Sequence, residues 1–199
     1  MPASRTHTWR PAALGLAAAL LAAVALAPAA SAATLQDRIA LCSGCHGEDG
    51  NSKLEKIPSL AGQPAFFVLN ELFLMREGVR KVDAMASFVK DLTDEDLDGL
   101  SRHYAALPAK ASDEPVDAEL ARKGAAIAAQ RGCGSCHLPT LAGQQQIPRI
   151  AKQRIDYLIG SLTSYRQGQR PGADTAMSAN VAGASDDDIK ALAHYAASK

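Results

Sequence analysis

Two short motifs of the same form contain the residues of this chain best suited to chemistry. The first, CSGCH, begins at Cys42, and the second, CGSCH, begins at Cys133. In each motif two thiols stand on one helical turn and an imidazole follows directly. Thiols at this spacing can add across the two vinyl groups of a haem, and the next imidazole then points at the iron. The motifs therefore predict two covalently bound haem c groups, attached through Cys42, Cys45, Cys133 and Cys136 and ligated at iron by His46 and His137.

Three other uses of paired cysteines explain the motifs less well. Disulfides are common in exported proteins, but they give no role to the histidine behind each pair. A structural zinc ion would need four nitrogen or sulfur ligands from pairs that lie 91 residues apart. A thioredoxin-like dithiol would need a βαβ context, which the sequence lacks. Haem attachment is the interpretation that uses both cysteines and the histidine.

The second axial ligand of each iron decides between electron transfer and catalysis, because an open position can admit a substrate. After residue 32 the chain has three methionines, Met75, Met85 and Met177. Met85 lies eight residues before Thr93, and Met177 lies eight residues before Ser185, in loops that precede predicted helices. Although methionine usually serves as core filler, these matching places predict Met85 and Met177 as the sixth iron ligands.

An internal repeat places the motifs at equivalent positions. The matching pairs, separated by 90 to 92 positions, are Cys42 and Cys133, Pro58 and Pro148, Met85 and Met177, and Tyr104 and Tyr195. Two copies of one module therefore fill the chain after residue 32. We place the N-terminal module at 33–107, a linker at 108–116 and the C-terminal module at 117–199. The nine linker residues span at most about 30 Å, so the modules can touch but cannot separate widely.

Helices must position these residues, because no segment alternates apolar and polar residues as a strand would. The predicted fold class is all-α. The sequences TLQD, TDED and SDDD, which begin at Thr34, Thr93 and Ser185, are typical helix starts. Pro64 is expected to begin the middle helix of the first module, and the corresponding helix of the second module is expected over 151–167.

Other paired residues have competing interpretations. Met75 matches Tyr165 in the repeat, which indicates a packing position. His103 and His194 could be distal ligands of a bis-histidine haem, but their place beside a tyrosine on the last helix favours a surface position. The remaining pairs are arginines that end the middle helices, Arg76 with Arg166 and Arg80 with Arg170. Each pair could be solvated cations that suit the helix dipole, or one member could bond a haem propionate.

The N-terminus predicts export. Arg5 and Arg10 precede an apolar run over 12–27, which ends near a small-residue cleavage pattern at Ala30 and Ala32. The run is shorter than the roughly 20 residues of a spanning helix. We therefore expect a cleaved signal peptide at 1–32, a periplasmic protein and no integral membrane segment after cleavage. The mature chain has 19 basic and 21 acidic residues, a net charge of −2, which excludes a basic nucleic-acid surface.

The stretches CSGCHGEDGNS, IPSLAGQ and MREGVR, with a methionine before LTDEDL, resemble the dihaem class I cytochromes c of the cytochrome c4 family. The resemblance covers nearly all of the chain after residue 32. It implies a tandem pair of class I cytochrome c domains, each a small helical fold around one covalent haem, with propionates facing a shared interface. It further implies that the carbonyls of Pro58 and Pro148 accept the proton of the proximal histidines. The second copy departs from the pattern, with Lys152 in place of Gly62.

The function that this resemblance implies is transfer of single electrons between respiratory-chain partners, towards a terminal oxidase. The expected partners are redox proteins, either a membrane-bound reductase or oxidase complex or a dehydrogenase, and the protein itself is expected not to be an enzyme. One alternative is a dihaem subunit of a periplasmic dehydrogenase such as flavocytochrome c sulfide dehydrogenase. Another is a dihaem peroxidase or thiosulfate dehydrogenase, which needs an open or differently ligated iron. Two methionines in register argue against that enzyme.

Overall fold

Helices make up the regular structure of the computed structural model, which describes residues 1, 3–6, 33–172 and 175–199. These ranges contain nine helices and no strand, and Gln144 and Ile147 form an isolated bridge. The first module has α1 (Leu35–His46), α2 (Ala65–Arg76), α3 (Asp83–Val89) and α4 (Asp94–Ala106). The second has α5 (Ala118–Gln130), α6 (Cys133–His137), α7 (Ile155–Arg166), α8 (Thr175–Val181) and α9 (Asp186–Ala197). The all-α prediction is confirmed.

Thr34–Lys199 form one compact unit, the second of the two into which the chain divides. The predicted signal peptide, 1–32, falls almost entirely outside the described residues. Both modules lie within the second unit. In the described part of the chain no helix is long and apolar enough to cross a membrane.

The predicted helix starts have the expected side-chain caps. Thr34, Thr93 and Ser185 each accept a hydrogen bond from the backbone N–H three residues on, and an aspartate at that position bonds back to the cap. This reciprocal pair satisfies two backbone donors that a helix start leaves without partners. The caps therefore determine where the first helix of the first module begins, and where the last helix of each module begins.

Three elements differ from the sequence-based expectation. The middle helix of the second module begins at Ile155 rather than near residue 151, because Lys152 has a left-handed φ of +57° that interrupts a helix. Gly62 has the equivalent φ of +66°, so the two modules share this turn although their residues differ. Met85 and Met177 each lie third in a short helix, α3 and α8, and not in a loop.

Each module has its own apolar core. In the first, α1, α2 and α4 meet around fully buried Leu100 and Tyr104. In the second, α7 and α9 pack around Leu141 and Leu158, and α5 lies along α9. Gly132, with φ +67°, separates α5 from α6, so the cysteine motif begins a new short helix. In the first module α1, which contains the CxxCH motif, packs against the last helix α4, and in the second module α5, which leads into the motif helix α6, packs against the last helix α9.

Gly124 allows the close approach of α5 and α9. A Cβ added there would lie 2.0 Å from the carbonyl oxygen of Ala191, a backbone atom that cannot rotate away. We expect Gly124→Ala to lower the free energy of unfolding by about 1–3 kcal/mol, because overpacking would push the helices apart. Gly160→Ala is the matched control, since a Cβ on this exposed residue of α7 meets nothing within 4 Å. It should stabilise the chain by up to about 1 kcal/mol in urea denaturation. Equal effects of the two substitutions would contradict this account.

The linker is attached to both modules by polar contacts. On the first module, Asn51 accepts a hydrogen bond from Lys110 N at 2.8 Å. On the second, the carboxylate of Glu114 accepts from the backbone N–H groups of Ile155 and Asp156, at 2.7 and 3.0 Å. A carboxylate at this position satisfies open donors at the start of α7 and suits the helix dipole. The linker therefore holds a defined path between the modules.

Candidate functional site

Both haem-attachment motifs line one cavity of about 560 Å³ to which the two modules contribute walls. All four cysteines are described by the structure and none is in a disulfide. Burial raises the pKa of the Cys42 and Cys133 thiols. The structure thus brings to this cavity the complete set of predicted thiols and axial ligands, Cys42, Cys45, His46, Met85, Cys133, Cys136, His137 and Met177.

Each motif histidine is oriented by a proline carbonyl. Nδ1 of His46 lies 2.8 Å from the oxygen of Pro58, and Nδ1 of His137 lies 2.9 Å from the oxygen of Pro148. Because a carbonyl only accepts, each Nδ1 carries the proton and donates it, which leaves Nε2 with a free lone pair. Burial lowers the pKa of both histidines, and their bonds to the proline carbonyls oppose that effect. The neutral imidazoles are therefore in the form that binds a metal.

The methionines of the cavity are distinguished by the repeat. Met85 and Met177 line it at the same position of α3 and α8. Met75 lines it too, and both Met75 and Met85 pack against the core of the first module. Tyr165, which matches Met75 in the repeat, lines the cavity in the second module. Position in the cavity alone does not separate the three methionines. The assignment of iron ligation to Met85 and Met177 remains a prediction from the matched positions.

The paired histidines of the last helices lie away from the cavity lining. Both side chains are half-buried, whereas the predicted surface position would leave them exposed. The ring of His103 packs edge-on against Tyr104 with centroids 5.0 Å apart. Nδ1 of His194 accepts a hydrogen bond from the backbone N–H of Asp117 at 3.0 Å. These contacts give both side chains structural roles within their modules.

Arg76 and Arg166 hold the middle helix to the last helix of each module. Nη1 of Arg76 donates to Leu92 O at 3.1 Å and to Asp94 at 2.8 Å. Arg166 repeats the arrangement, donating to Ala184 O at 2.8 Å and to Asp186 at 2.7 Å. Solvation of both cations was one of the two interpretations that the sequence allowed, and these contacts do not fit it. Their equivalent contacts assign this pair to helix packing.

Arg80 and Arg170 instead line the cavity, where they share one carboxylate. Arg80 bonds Glu71, and Nη2 of Arg170 lies 3.3 Å from the same oxygen of Glu71. The repeat places Ser161 where the first module has Glu71, so the second module bonds its own arginine to a hydroxyl. Burial acts to raise the pKa of the nearby Tyr157, but the two guanidinium groups lower it by more. The cluster therefore carries an excess of positive charge inside the protein.

Arg149 is a buried cation on the cavity wall with no carboxylate partner in the described part of the chain. Its Nε donates to Ala61 O at 3.1 Å, a further bond reaches Ala151 O, and Nη2 has no hydrogen-bond partner among the described residues. Burial lowers its pKa to about 10, so it remains charged at neutral pH. A buried, charged group with an open donor is suited to an anionic ligand.

These observations fit two haems. The donor set supplies two thiols, one imidazole and one thioether from each module, which is the set of a covalent haem with histidine and methionine ligands. Arg149 and Arg170 line the cavity, and each has one buried nitrogen without a hydrogen-bond partner among the described residues, Nη2 of Arg149 and Nε of Arg170. Haem carboxylates would need cationic partners of this kind.

Several cavity residues were not predicted from the sequence, namely Gln63, Gln153, Glu71, Tyr157 and Arg149. Gln63 and Gln153 had a signal, since they stand 90 residues apart at the end of the matching stretches LAGQ and IAKQ. Glu71 and Tyr157 have no equivalent in the other module, so the repeat could not single them out. Arg149 stands where the first module has Ser59, and only its burial shows its importance.

Two family models match the chain in succession. The model described as cytochrome C oxidase, cbb3-type, subunit III matches residues 27–103, and the model described as cytochrome c matches residues 121–198. The matches correspond to the two copies of the internal repeat. Both modules are therefore cytochrome c domains, as predicted.

Similar proteins extend over most of the chain. A cytochrome c4 of Pseudomonas aeruginosa is 32% identical over 178 residues, covering 84% of this chain and 88% of the relative. A thiosulfate dehydrogenase electron acceptor of Stutzerimonas stutzeri is 32% identical over 165 residues, covering 77% of this chain and 76% of the relative. The crystal structure of reduced cytochrome c4 from Pseudomonas stutzeri superposes with a TM-score of 0.74 at 30% identity, covering 81% of this chain and 95% of that one.

Proposed function

Because this chain belongs to the cytochrome c4 family of electron-transfer proteins with two covalent haem c groups, we propose that it is a periplasmic carrier of single electrons towards a terminal oxidase. The observation that carries the proposal is the presence of a histidine and a methionine in both halves of the cavity. With both axial positions taken by protein ligands, neither iron would have a place for a substrate.

The haems supply the one-electron couple, and the residues of the chain set the conditions for it. The Nε2 atoms of His46 and His137 are free to bind iron because the proline carbonyls hold the Nδ1 protons. Met85 and Met177 would add soft thioether ligands, which favour ferrous iron and raise the potential. Arg149 would pair with a haem carboxylate, and the one positive charge that Glu71 leaves unbalanced on Arg80 and Arg170 would favour a second.

A second candidate function is that of a dihaem electron-transfer subunit or dedicated acceptor of a dehydrogenase. The relative described as a thiosulfate dehydrogenase electron acceptor favours it, because its similarity covers both modules. Both candidates use the same haem sites, and they differ in the stability of the complex with the donor. Among the described residues, the first module has seven exposed large apolar side chains, and the rest of the chain after it has one, Val116 of the linker. A donor could therefore dock on the first module.

Two measurements on the natural protein test these proposals. Purified from its source at low salt, a free carrier should emerge alone, and in reduced form it should be oxidised by membranes that contain the terminal oxidase. Copurification with a flavoprotein or another dehydrogenase would overturn the carrier in favour of the subunit. Rapid binding of carbon monoxide to the reduced haems would contradict both, because it requires an open iron position.

The two haems are expected to have unequal potentials. Residues 33–111 include 9 basic and 12 acidic side chains, a net charge of −3, whereas residues 112–199 include 10 and 9, a net charge of +1. Negative charge stabilises ferric iron, so the haem of the first module should have the lower potential. The buried cation of Arg149, which follows Pro148, adds to the difference. A redox titration of the wild type beside Met85→Ala and Met177→Ala would assign each potential, and a more oxidising first haem would contradict this prediction.

A further inference from the structure

The contact between the modules is built from two buried glutamines that exchange equivalent hydrogen bonds. Gln153 of the second module accepts from Ser59 N at 2.8 Å and donates to Ser59 O at 2.9 Å. Gln63 of the first module accepts from Arg149 N at 3.0 Å and donates to Arg149 O at 2.9 Å. The glutamines are 2% and 3% exposed, so water does not compete for these bonds. Each amide thus pairs with one backbone residue of the opposite module.

The backbone residue in each contact follows the proline that orients a proximal histidine. The peptide unit between Pro58 and Ser59 accepts from His46 through its oxygen and donates to Gln153 through its nitrogen. The peptide unit between Pro148 and Arg149 likewise accepts from His137 and donates to Gln63. Each peptide therefore connects a histidine of one module to a glutamine of the other.

Hydrogen bonds at the two ends of one peptide strengthen each other. When the N–H of a peptide donates, electron density moves to its oxygen, which becomes a better acceptor. A better acceptor at Pro58 draws the Nδ1 proton of His46 and makes Nε2 a stronger donor to iron, which favours the ferric state. The oxygen of Gln153 also accepts from Arg154 N at 3.0 Å, and Gln63 has no equivalent bond among the described residues.

We propose that each glutamine tunes the haem of the opposite module, with Gln153 acting on the first haem through Pro58 and His46, and Gln63 acting on the second through Pro148 and His137. Both are positioning residues, since their hydrogen bonds reach the backbone of Ser59 and Arg149 and not a residue of the haem-binding motifs. The inference rests on the proposed ligation of iron by His46 and His137. It implies that the module interface sets the potentials as well as the geometry.

The test is a crossed pair of substitutions, Gln153→Met and Gln63→Met, which remove the amide and keep most of the side-chain volume. In the holoprotein, Gln153→Met should raise the potential of the first haem and leave the second nearly unchanged. Gln63→Met should do the reverse. We expect the ferric-to-ferrous ratio of the affected haem to fall by up to about tenfold at a fixed electrode potential, which is about 59 mV for one electron.

A second readout reports the hydrogen bond itself. In proton NMR spectra of the ferrous protein, the Nδ1–H signal of the histidine opposite the substituted glutamine should move towards that of a weaker hydrogen bond. Axial ligation is checked in the same spectra, because ligand protons above and below a haem are strongly shifted by its ring current. Missing ligand signals in the wild type would refute the proposed ligation, whereas intact ligand signals without crossed changes would refute only the tuning.

Two further outcomes distinguish the peptide relay from a general loosening of the interface. Equal changes at both haems, or a change confined to the haem of the substituted module, would overturn the proposal, because loosening of the interface explains them without a peptide relay. If the methionine variants fail to fold, Gln153→Asn and Gln63→Asn provide the same crossed comparison. They keep the amide but shorten its reach by one methylene, and they should produce changes in the same direction.

Discussion

Replacing Met85 or Met177 by alanine is expected to remove half of the weak near-infrared charge-transfer band that oxidised haems show when methionine binds iron. The double variant should lose the band completely. The potential of the substituted haem should fall at the same time, because loss of the thioether removes the ligand that favours ferrous iron. Axial ligands account for a range of about 0.8 V among haem proteins, so this is the largest redox effect expected for any single substitution here.

Met75→Ala is the matched control, because Met75 lines the same cavity and packs against the first core. It should lower stability through the lost packing and leave the band at full intensity. A full band in Met85→Ala or in Met177→Ala would show that the ligand in that module has been assigned to the wrong residue. A half-band in Met75→Ala would identify the correct one in the first module.

Replacing Glu71 by leucine is expected to cost about 3–5 kcal/mol in the free energy of unfolding. Glu71 is 8% exposed and its carboxylate faces both Arg80 and Arg170, so its loss leaves two guanidinium groups inside the protein without their shared anion. Because Arg170 belongs to the second module, the loss should also weaken the contact between modules. Chemical denaturation of the holoprotein, followed by haem absorbance and by far-ultraviolet circular dichroism, measures both effects.

Glu77→Leu supplies the comparison for Glu71→Leu. Glu77 pairs with Arg76 at 2.9 Å, but its side chain is 45% exposed. Exposed ion pairs contribute at most about 1 kcal/mol, since water screens both charges. A cost for Glu71→Leu as small as that of the Glu77 variant would mean that haem carboxylates, and not Glu71, balance the charge of Arg80 and Arg170.

The sequence was informative wherever one segment determines its own structure. The spacing of Cys42, Cys45 and His46 defines haem attachment, and the caps at Thr34, Thr93 and Ser185 locate helix starts without reference to distant residues. The repeat extended these local signals, since it matched the ligands of one module to those of the other. Cytochrome c domains and haem c were therefore predictable before the fold was known.

Contacts between segments could not be predicted in this way. The sequence shows that Gln63 and Gln153 occupy equivalent positions, but their exchange of partners depends on how the modules pack. The late start of α7 follows from a left-handed backbone at Lys152, a conformation that lysine rarely adopts and that its type does not suggest. The shared use of Glu71 by two arginines depends on the same packing.

The exchange of glutamine contacts has the form of an isologous association, in which residue i of one partner meets residue j of the other and j meets i. Ser59 with Gln153 and Arg149 with Gln63 are the two halves of such an exchange. If the two modules were separate chains, the fraction associated in this way would depend on their concentration. The linker, anchored at Asn51 and Glu114, makes the association intramolecular. The two haem sites therefore remain paired at any dilution of the protein.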